Sequence, residues 1–175
     1  MTTETLWHGS HVHPPAGSSP TPIALRVNGA THEVDAAPDT PLLYVLRNDL
    51  GLYAAKLGCG LEQCGSCSVL VDGEARPSCR LPISALGTAE ITTLEGIGSP
   101  AAPHALQRAF IAENAAQCGY CTAGILISAK ALLDRKPRPS DGEVRRALRG
   151  NLCRCGSHNR VLRAVQRAAR ELAGE

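Results

Sequence analysis

The fold is decided by residues 58–73, which read GCGLEQCGSCSVLVDG. Three cysteines in this stretch, Cys59, Cys64 and Cys67, follow the spacing C-x4-C-x2-C, and Cys79 comes after eleven intervening residues. This spacing is typical of a plant-type [2Fe–2S] site, in which three thiolates on one tight loop and a fourth from a neighbouring segment wrap the cluster. The glycines between the ligands allow the backbone to approach the sulfides, and they serve ordinary turns equally well.

The other four cysteines form a second set: Cys118, Cys121, Cys153 and Cys155. The pair Cys118-Gly-Tyr-Cys121 alone could be a thioredoxin-type redox motif. Such a motif should follow a strand, whereas an apparent helix precedes it here, and it would leave the last two cysteines without a role. A second four-thiolate [2Fe–2S] site accounts for all four.

Two other interpretations of the eight cysteines remain open at this stage. A secreted disulfide scaffold normally comes with a signal peptide, and the start of the chain, MTTETLWHGSHVHPPAGSSPTP, has neither a basic nor an apolar segment of that kind. Two structural zinc sites would also use eight thiolates, but zinc ribbons usually contain C-x2-C twice, whereas one pair here is C-x-C.

Composition limits the class of protein. The 175 residues are 43% hydrophobic and only 3% aromatic, and no apolar run approaches a membrane span, so we expect no transmembrane helix. The formal charge of +2 is too small to indicate a nucleic-acid-binding protein. Residues 135–175 nevertheless hold 11 Lys and Arg against 4 Asp and Glu. Helical spacing places four arginines on one side, which indicates a solvated face or a docking face for a partner: Arg160, Arg163, Arg167 and Arg170.

The pattern of apolar residues predicts an α+β chain with two modules. Residues 1–21 are rich in Pro, His, Ser and Gly and are expected to form a disordered or partner-docking arm. Residues 22–97 are expected to form a β-grasp, ferredoxin-like module. Its predicted elements are strands at 23–29 and 31–35 joined by an Asn28-Gly29 turn, a helix opened by Pro41 and running to 50, and strands at 68–73 and 90–96.

After Ser99-Pro100 the apolar period changes from two to about 3.6, which predicts an α-helical module at 98–175. A capping box, Ser140-x-x-Glu143, marks one of the helix starts. The predicted helices are at 103–116, 122–135, 140–149 and 158–172. Bound metal commonly supplements the thin core of modules this small.

These motifs together resemble the small iron–sulfur subunit of the molybdenum hydroxylases, the xanthine dehydrogenase and aldehyde oxidoreductase superfamily. The similarity covers residues 22–172 and rests on GCGLEQCGSCSVLVDG (58–73), SCRLPI (78–83), TTLEG (92–96), QCGYCTAG (117–124) and NLCRCGSHNRV (151–161). The GLEQCGSC segment is closer to the isoquinoline and nicotinate dehydrogenase type. The family often has Pro where this chain has Ala123, and Thr-Tyr where it has Ser157-His158. Neither difference involves a cluster ligand. His158 is expected to be a polar helix-start residue rather than a proton-linked modulator of the cluster.

The resemblance implies an electron-transfer subunit without substrate chemistry or catalytic residues of its own. The distal cluster would be held by Cys59, Cys64, Cys67 and Cys79, and the proximal cluster by Cys118, Cys121, Cys153 and Cys155. Gln117 and Cys155 would lie near a molybdopterin, in its cytosine dinucleotide form, on a large partner subunit. That subunit would hydroxylate an aldehyde or N-heterocycle with oxygen from water.

The sequence has no recognisable flavin-binding segment, so we expect a flavin subunit or a cytochrome c as acceptor, with the complex in the cytoplasm or membrane-associated through its partners. The alternative function is a free-standing ferredoxin-like carrier or iron–sulfur sensor.

Overall fold

A computed structural model describes residues 22–175; the arm predicted at residues 1–21 lies outside them. The N-terminal half contains a five-stranded mixed sheet in the order β2-β1-β5-β3-β4. The central β1–β5 pair is parallel and the other pairs are antiparallel. The elements are β1 (Ile23–Val27), β2 (Ala30–Val34), α1 (Leu42–Asn48), β3 (Ser68–Val71), β4 (Glu74–Pro77) and β5 (Glu90–Thr92).

The predicted first hairpin is confirmed, and its turn has a second role. Asn28 and Gly29 both take positive φ, 52° and 80°, as a two-residue hairpin turn requires. The Asn28 side chain also accepts from the Thr93 N–H at 2.9 Å and donates to the Thr93 hydroxyl at 3.0 Å. The strand predicted at 90–96 is therefore too long. Because the Asn28 side chain takes the Thr93 N–H that a continuing strand would use for pairing, the chain turns into a short 3-10 helix at Leu94–Gly96.

Four helices follow: α2 (Ala105–Ala112), α3 (Thr122–Arg135), α4 (Asp141–Ala147) and α5 (His158–Leu172). The predicted bounds of α3 and α5 are correct, while α2 is shorter than the predicted 103–116. His104 caps its start, since the ring Nδ1 accepts the Leu106 N–H at 3.2 Å and the Gln107 side chain accepts the His104 N–H at 2.7 Å. Its end is set by Asn114, whose φ of 47° leaves the helical region. No helix within residues 22–175 has both the length and the apolar character needed to span a membrane.

Two hydrophobic cores organise the α+β chain. One lies between the sheet and α1, and the other lies among α2, α3, α4 and α5. A small cluster joins them, in which Leu70 of β3 packs against Ile127 and Ala131 of α3. The largest fully buried side chains are aliphatic: Leu25, Leu42, Leu43, Leu46, Ile83, Ile91, Leu106, Ile125 and Ile127. The protein thus compensates for its few aromatic residues with close aliphatic packing.

The two halves approach each other closely where glycine faces backbone. A Cβ on Gly124, in the first turn of α3, would collide with the carbonyl oxygen of Gly65. Gly65 itself has a φ of +72°, and a Cβ there would lie 2.7 Å from the carbonyl oxygen of Gly150. Neither position has room for a side chain, so three backbone segments meet at this point.

The basic side of α5 is solvated. Arg163 and Arg167 are 60% and 52% exposed, and both reach Glu113, at 3.1 and 3.4 Å. Hydrogen bonds from Arg163 first and then from Arg167 hold the pKa of Glu113 below its usual value. Exposed pairs of this kind contribute little to stability.

We predict opposite effects of two glycine-to-alanine substitutions in helices. Gly124→Ala should destabilise the protein by about 1–3 kcal/mol, because the methyl group overpacks the contact with Gly65. Gly142→Ala is the matched control in α4. The nearest neighbour of the added methyl group would be an Arg146 nitrogen at 3.6 Å, which leaves room for it. The higher helix propensity of alanine should therefore stabilise the protein by up to about 1 kcal/mol. Chemical denaturation measures both values, and equal effects would contradict the packing argument.

Candidate metal centres

The loop before β3 gathers Cys59 and Cys64 through its own backbone. The Cys59 sulfur accepts the N–H groups of Leu61 and Gln63, both at 3.3 Å, and the Cys64 sulfur accepts the Cys59 N–H at 3.3 Å. The Cys64 thiol lies close enough to Cys59 to help lower its pKa. The backbone donors, Leu61 first, lower the pKa of Cys59 to about 7. Cys59 is exposed, so this pair lies at the surface.

The β3–β4 hairpin brings together the next two thiols. Cys67 precedes β3 and Cys79 follows β4, and the pairing of Ser68 with Pro77 places Cys67 opposite Ser78, the residue before Cys79. The Ser78 N–H and hydroxyl close the hairpin by donating to the Cys67 carbonyl, at 3.3 and 2.7 Å. Both thiols are buried, and burial first, with the neighbouring Cys79 thiol acting in the same direction, raises the pKa of Cys67 to about 11.

The second set also divides into pairs. The exposed Cys118 thiol has Cys155 as its neighbour, and Cys121, at the start of α3, has Cys153, since each neighbour affects the pKa of its partner. Burial raises the pKa of Cys121 to about 12. Burial acts in the same direction on Cys153, but hydrogen bonds from the Ser157 hydroxyl and N–H outweigh it and lower its pKa to about 6.

The structure therefore places the eight predicted cysteines as four pairs of neighbouring thiols. Within residues 22–175, no three His, Cys, Asp or Glu side chains are arranged around one metal ion. Each of the two irons of a [2Fe–2S] cluster takes two of its four thiolate ligands, so thiols that occur in pairs would suit it. Backbone N–H groups directed at sulfur support the same assignment, because such bonds accompany iron–sulfur ligands.

The two ligand loops touch one another. The Leu152 N–H donates to the Cys64 carbonyl at 3.0 Å. Because Leu152 directly precedes Cys153, this bond links the two loops that carry the cysteines. The Tyr120 hydroxyl, between two ligands of the second set, donates to the Leu57 carbonyl at 2.5 Å. The two candidate centres are thus neighbours in one continuous structure.

Gln117 lies at the surface beside the second set, where its side-chain nitrogen is 3.5 Å from the Cys155 carbonyl. His158 is the first residue of α5 and its ring Nε2 lies 3.1 Å from the Asn151 carbonyl oxygen, in keeping with a helix-start role. Sequence reasoning missed Ser66 and Ser157, two buried serines whose hydroxyls lie near the Cys64 and Cys153 sulfurs. The only signal was their position inside the ligand loops.

Two family models match the chain in sequence order. Residues 25–92 match a model described as a 2Fe-2S iron-sulfur cluster binding domain, and residues 93–166 match one described as a [2Fe-2S] binding domain. A nicotinate dehydrogenase subunit of Pseudomonas putida is 59% identical over 85% of this chain and 95% of its own length. The alpha subunit of isoquinoline 1-oxidoreductase of Brevundimonas diminuta is 47% identical over 86% of this chain and 99% of its own.

The chain belongs to the small iron–sulfur subunits of the molybdenum hydroxylases. The family models decide for iron–sulfur over zinc and disulfides, and two [2Fe–2S] clusters are the cofactors. As a member of this family the chain is an electron-transfer subunit of an oxidoreductase.

Solved structures agree with this assignment. A chain of quinoline 2-oxidoreductase from Pseudomonas putida 86 matches with a TM-score of 0.83 and 35% identity, over 90% of this chain and 99% of its own length. The aldehyde oxidoreductase from Desulfovibrio desulfuricans matches with a TM-score of 0.84 and 44% identity, but this chain spans only 17% of that longer one.

We predict that Gly58→Ala selectively disturbs the first centre. The new methyl group would lie 2.5 Å from the Cys64 sulfur, so it should displace that ligand. The iron content of the purified protein should fall from about four irons per chain to about two. Gly150→Ala is the control, since nothing lies within 4 Å of its Cβ, and it should retain all the iron. Full iron content in Gly58→Ala would contradict the role given to this glycine.

Proposed function

We propose that the chain relays single electrons from a large molybdenum subunit to an external acceptor, with Cys59, Cys64, Cys67 and Cys79 holding the distal cluster and Cys118, Cys121, Cys153 and Cys155 the proximal one. The pairing of the thiols supports this proposal most directly. Cys59 with Cys64 and Cys67 with Cys79 would each serve one distal iron. Cys118 with Cys155 and Cys121 with Cys153 would do so in the proximal cluster.

Bound [2Fe–2S] clusters supply one-electron redox chemistry over a range of potentials that the protein sets. The chain's own contribution is to fix the thiolates, to direct N–H donors at their sulfurs and to hold the two loops in contact. The Leu61 and Gln63 N–H groups do this for Cys59, and the Leu152 N–H links the loops. No acid–base step falls to this chain.

The side of the chain around Gln117 is proposed to meet the partner. Cys118 is exposed and Gln117 stands beside Cys155, so an amide group and a ligand sulfur are available to a molybdopterin on the large subunit. We assign that cofactor the cytosine dinucleotide form. The distal centre, with Cys59 at the surface, would then pass electrons outward to a flavin subunit or a cytochrome c.

The substrate class is proposed from the relatives. Two of them are named for nicotinate and isoquinoline, and both match over nearly their whole length. We therefore propose an N-heterocyclic aromatic acid or its ring analogues as substrate of the complex, hydroxylated in the cytoplasm.

The two modules are proposed to be a β-grasp ferredoxin-like domain at 22–97 and a four-helix domain at 98–175, in line with the separate cores.

Co-purification tests this function. The tagged chain, expressed together with its large partner, should yield a complex that contains molybdenum and about four irons per small subunit. Anaerobic addition of nicotinate should bleach the visible absorbance of both centres. A lone brown protein without molybdenum would contradict the proposal and favour a free-standing carrier. A molybdenum complex whose clusters are reduced by aldehydes but not by N-heterocycles would overturn only the proposed substrate class.

Gln117 provides a variant specific to the partner side. We expect Gln117→Leu to slow reduction of the clusters by substrate by about tenfold, the size of one lost hydrogen bond to a cofactor. Reduction by dithionite should be unchanged. Gln166→Leu is the control, because its side chain binds the Pro139 carbonyl and Asp141, away from both centres. Stopped-flow absorbance measures the rates of cluster reduction by substrate and by dithionite. Equal rates of reduction by substrate in the two variants would show that Gln117 does not contact the cofactor.

A further inference from the structure

One buried hydroxyl beside the second centre has a single partner. Ser157 is 5% exposed, and its Oγ lies 3.3 Å from the Cys153 sulfur. Within residues 22–175 this is its only side-chain hydrogen bond. Buried hydroxyls are nearly always hydrogen-bonded, because an unpaired one costs its full desolvation free energy. The contact with sulfur is therefore what satisfies this group.

The ordinary alternative for a serine at this position is helix capping. Ser157 precedes α5, where a serine side chain usually accepts an N–H of the first turn. Here the ψ of Ser157 is 6° rather than extended, and its side chain makes no capping bond. Its carbonyl instead accepts the N–H groups of Arg160 and Val161, at 2.9 and 3.0 Å. The helix thus fixes the Ser157 backbone and leaves the hydroxyl for the sulfur.

We propose that Ser157 is a positioning residue that raises the reduction potential of the proximal cluster by donating its hydroxyl proton to the Cys153 sulfur. The inference rests on the proposed function, specifically on Cys153 as an iron ligand. A ligating thiolate carries no proton, so the hydroxyl must be the donor in this bond.

The direction of the effect follows from charge. Reduction adds one electron to the centre and breaks no bond, and the proton stays on the Ser157 oxygen. The added negative charge is shared with the ligand sulfurs, so a hydrogen bond to sulfur is stronger in the reduced state. Stabilising the reduced state raises the potential, as hydrogen bonds to cluster sulfurs do generally.

The first centre contains a weaker counterpart that serves as a control. Ser66 is also 5% exposed, and its Oγ lies 3.7 Å from the Cys64 sulfur. The longer distance predicts a smaller effect there. Because the two serines serve different sets of cysteines, each substitution should shift one centre and leave the other unchanged.

The test is a potentiometric titration of the purified complex, monitored by electron paramagnetic resonance. Ser157→Ala should reduce the equilibrium constant for reduction of the proximal centre by about tenfold, a shift of about 59 mV to lower potential. The distal midpoint should stay unchanged. Ser157→Thr should restore the wild-type value, whereas Ser157→Val, with the same shape and no hydroxyl, should resemble alanine. Ser66→Ala should shift only the distal midpoint, and by less.

Unchanged proximal midpoints in the alanine and valine variants would overturn the inference while leaving the proposed function intact. Equal shifts in the threonine and valine variants would also overturn it, since the hydroxyl would then be irrelevant. If alanine and valine variants both lose two irons per chain while threonine retains them, the role in setting the potential is likewise wrong. Failure of the proposed function would be recognised separately, by a wild-type protein without two [2Fe–2S] signals.

Discussion

The structure depends on one close backbone approach, at Gly65. This glycine lies inside the first ligand loop, its carbonyl oxygen fills the space where Gly124 lacks a side chain, and its Cα faces Gly150 beside the second loop. Two ligand sets on separate cores could otherwise drift relative to one another. With the glycines in contact and the Leu152 N–H bound to the Cys64 carbonyl, their separation is fixed by backbone rather than by flexible side chains. A fixed separation is what electron transfer between two centres requires.

The surroundings of the thiols also differ from one cysteine to another. Sulfur atoms at or near the surface receive backbone or hydroxyl donors, as Cys59 does from Leu61 and Gln63 and Cys153 from Ser157. Cys67 and Cys121 are more enclosed, and burial raises their pKa. The thiols of both sets therefore differ in burial and in the donors that reach their sulfurs. Differences of this kind allow two chemically identical clusters to have different potentials.

The sequence alone predicted a large part of this arrangement, for identifiable reasons. Cysteine positions are given directly by the sequence, so they suggested two groups of four, and long periodic segments predicted α3 and α5 with correct bounds. The end of β5 was not predictable, because it depends on Asn28, which lies over sixty residues away in the chain. The roles of Gly124 and Ser157 were also hidden, since each depends on a partner brought close only by folding.

The central claim, that the eight cysteines hold two [2Fe–2S] clusters, is tested most directly by spin quantitation. Electron paramagnetic resonance of the dithionite-reduced complex should show two distinct [2Fe–2S] signals of equal intensity, with about four irons and four acid-labile sulfides per chain. A single signal with two irons, or zinc in place of iron, would contradict the account.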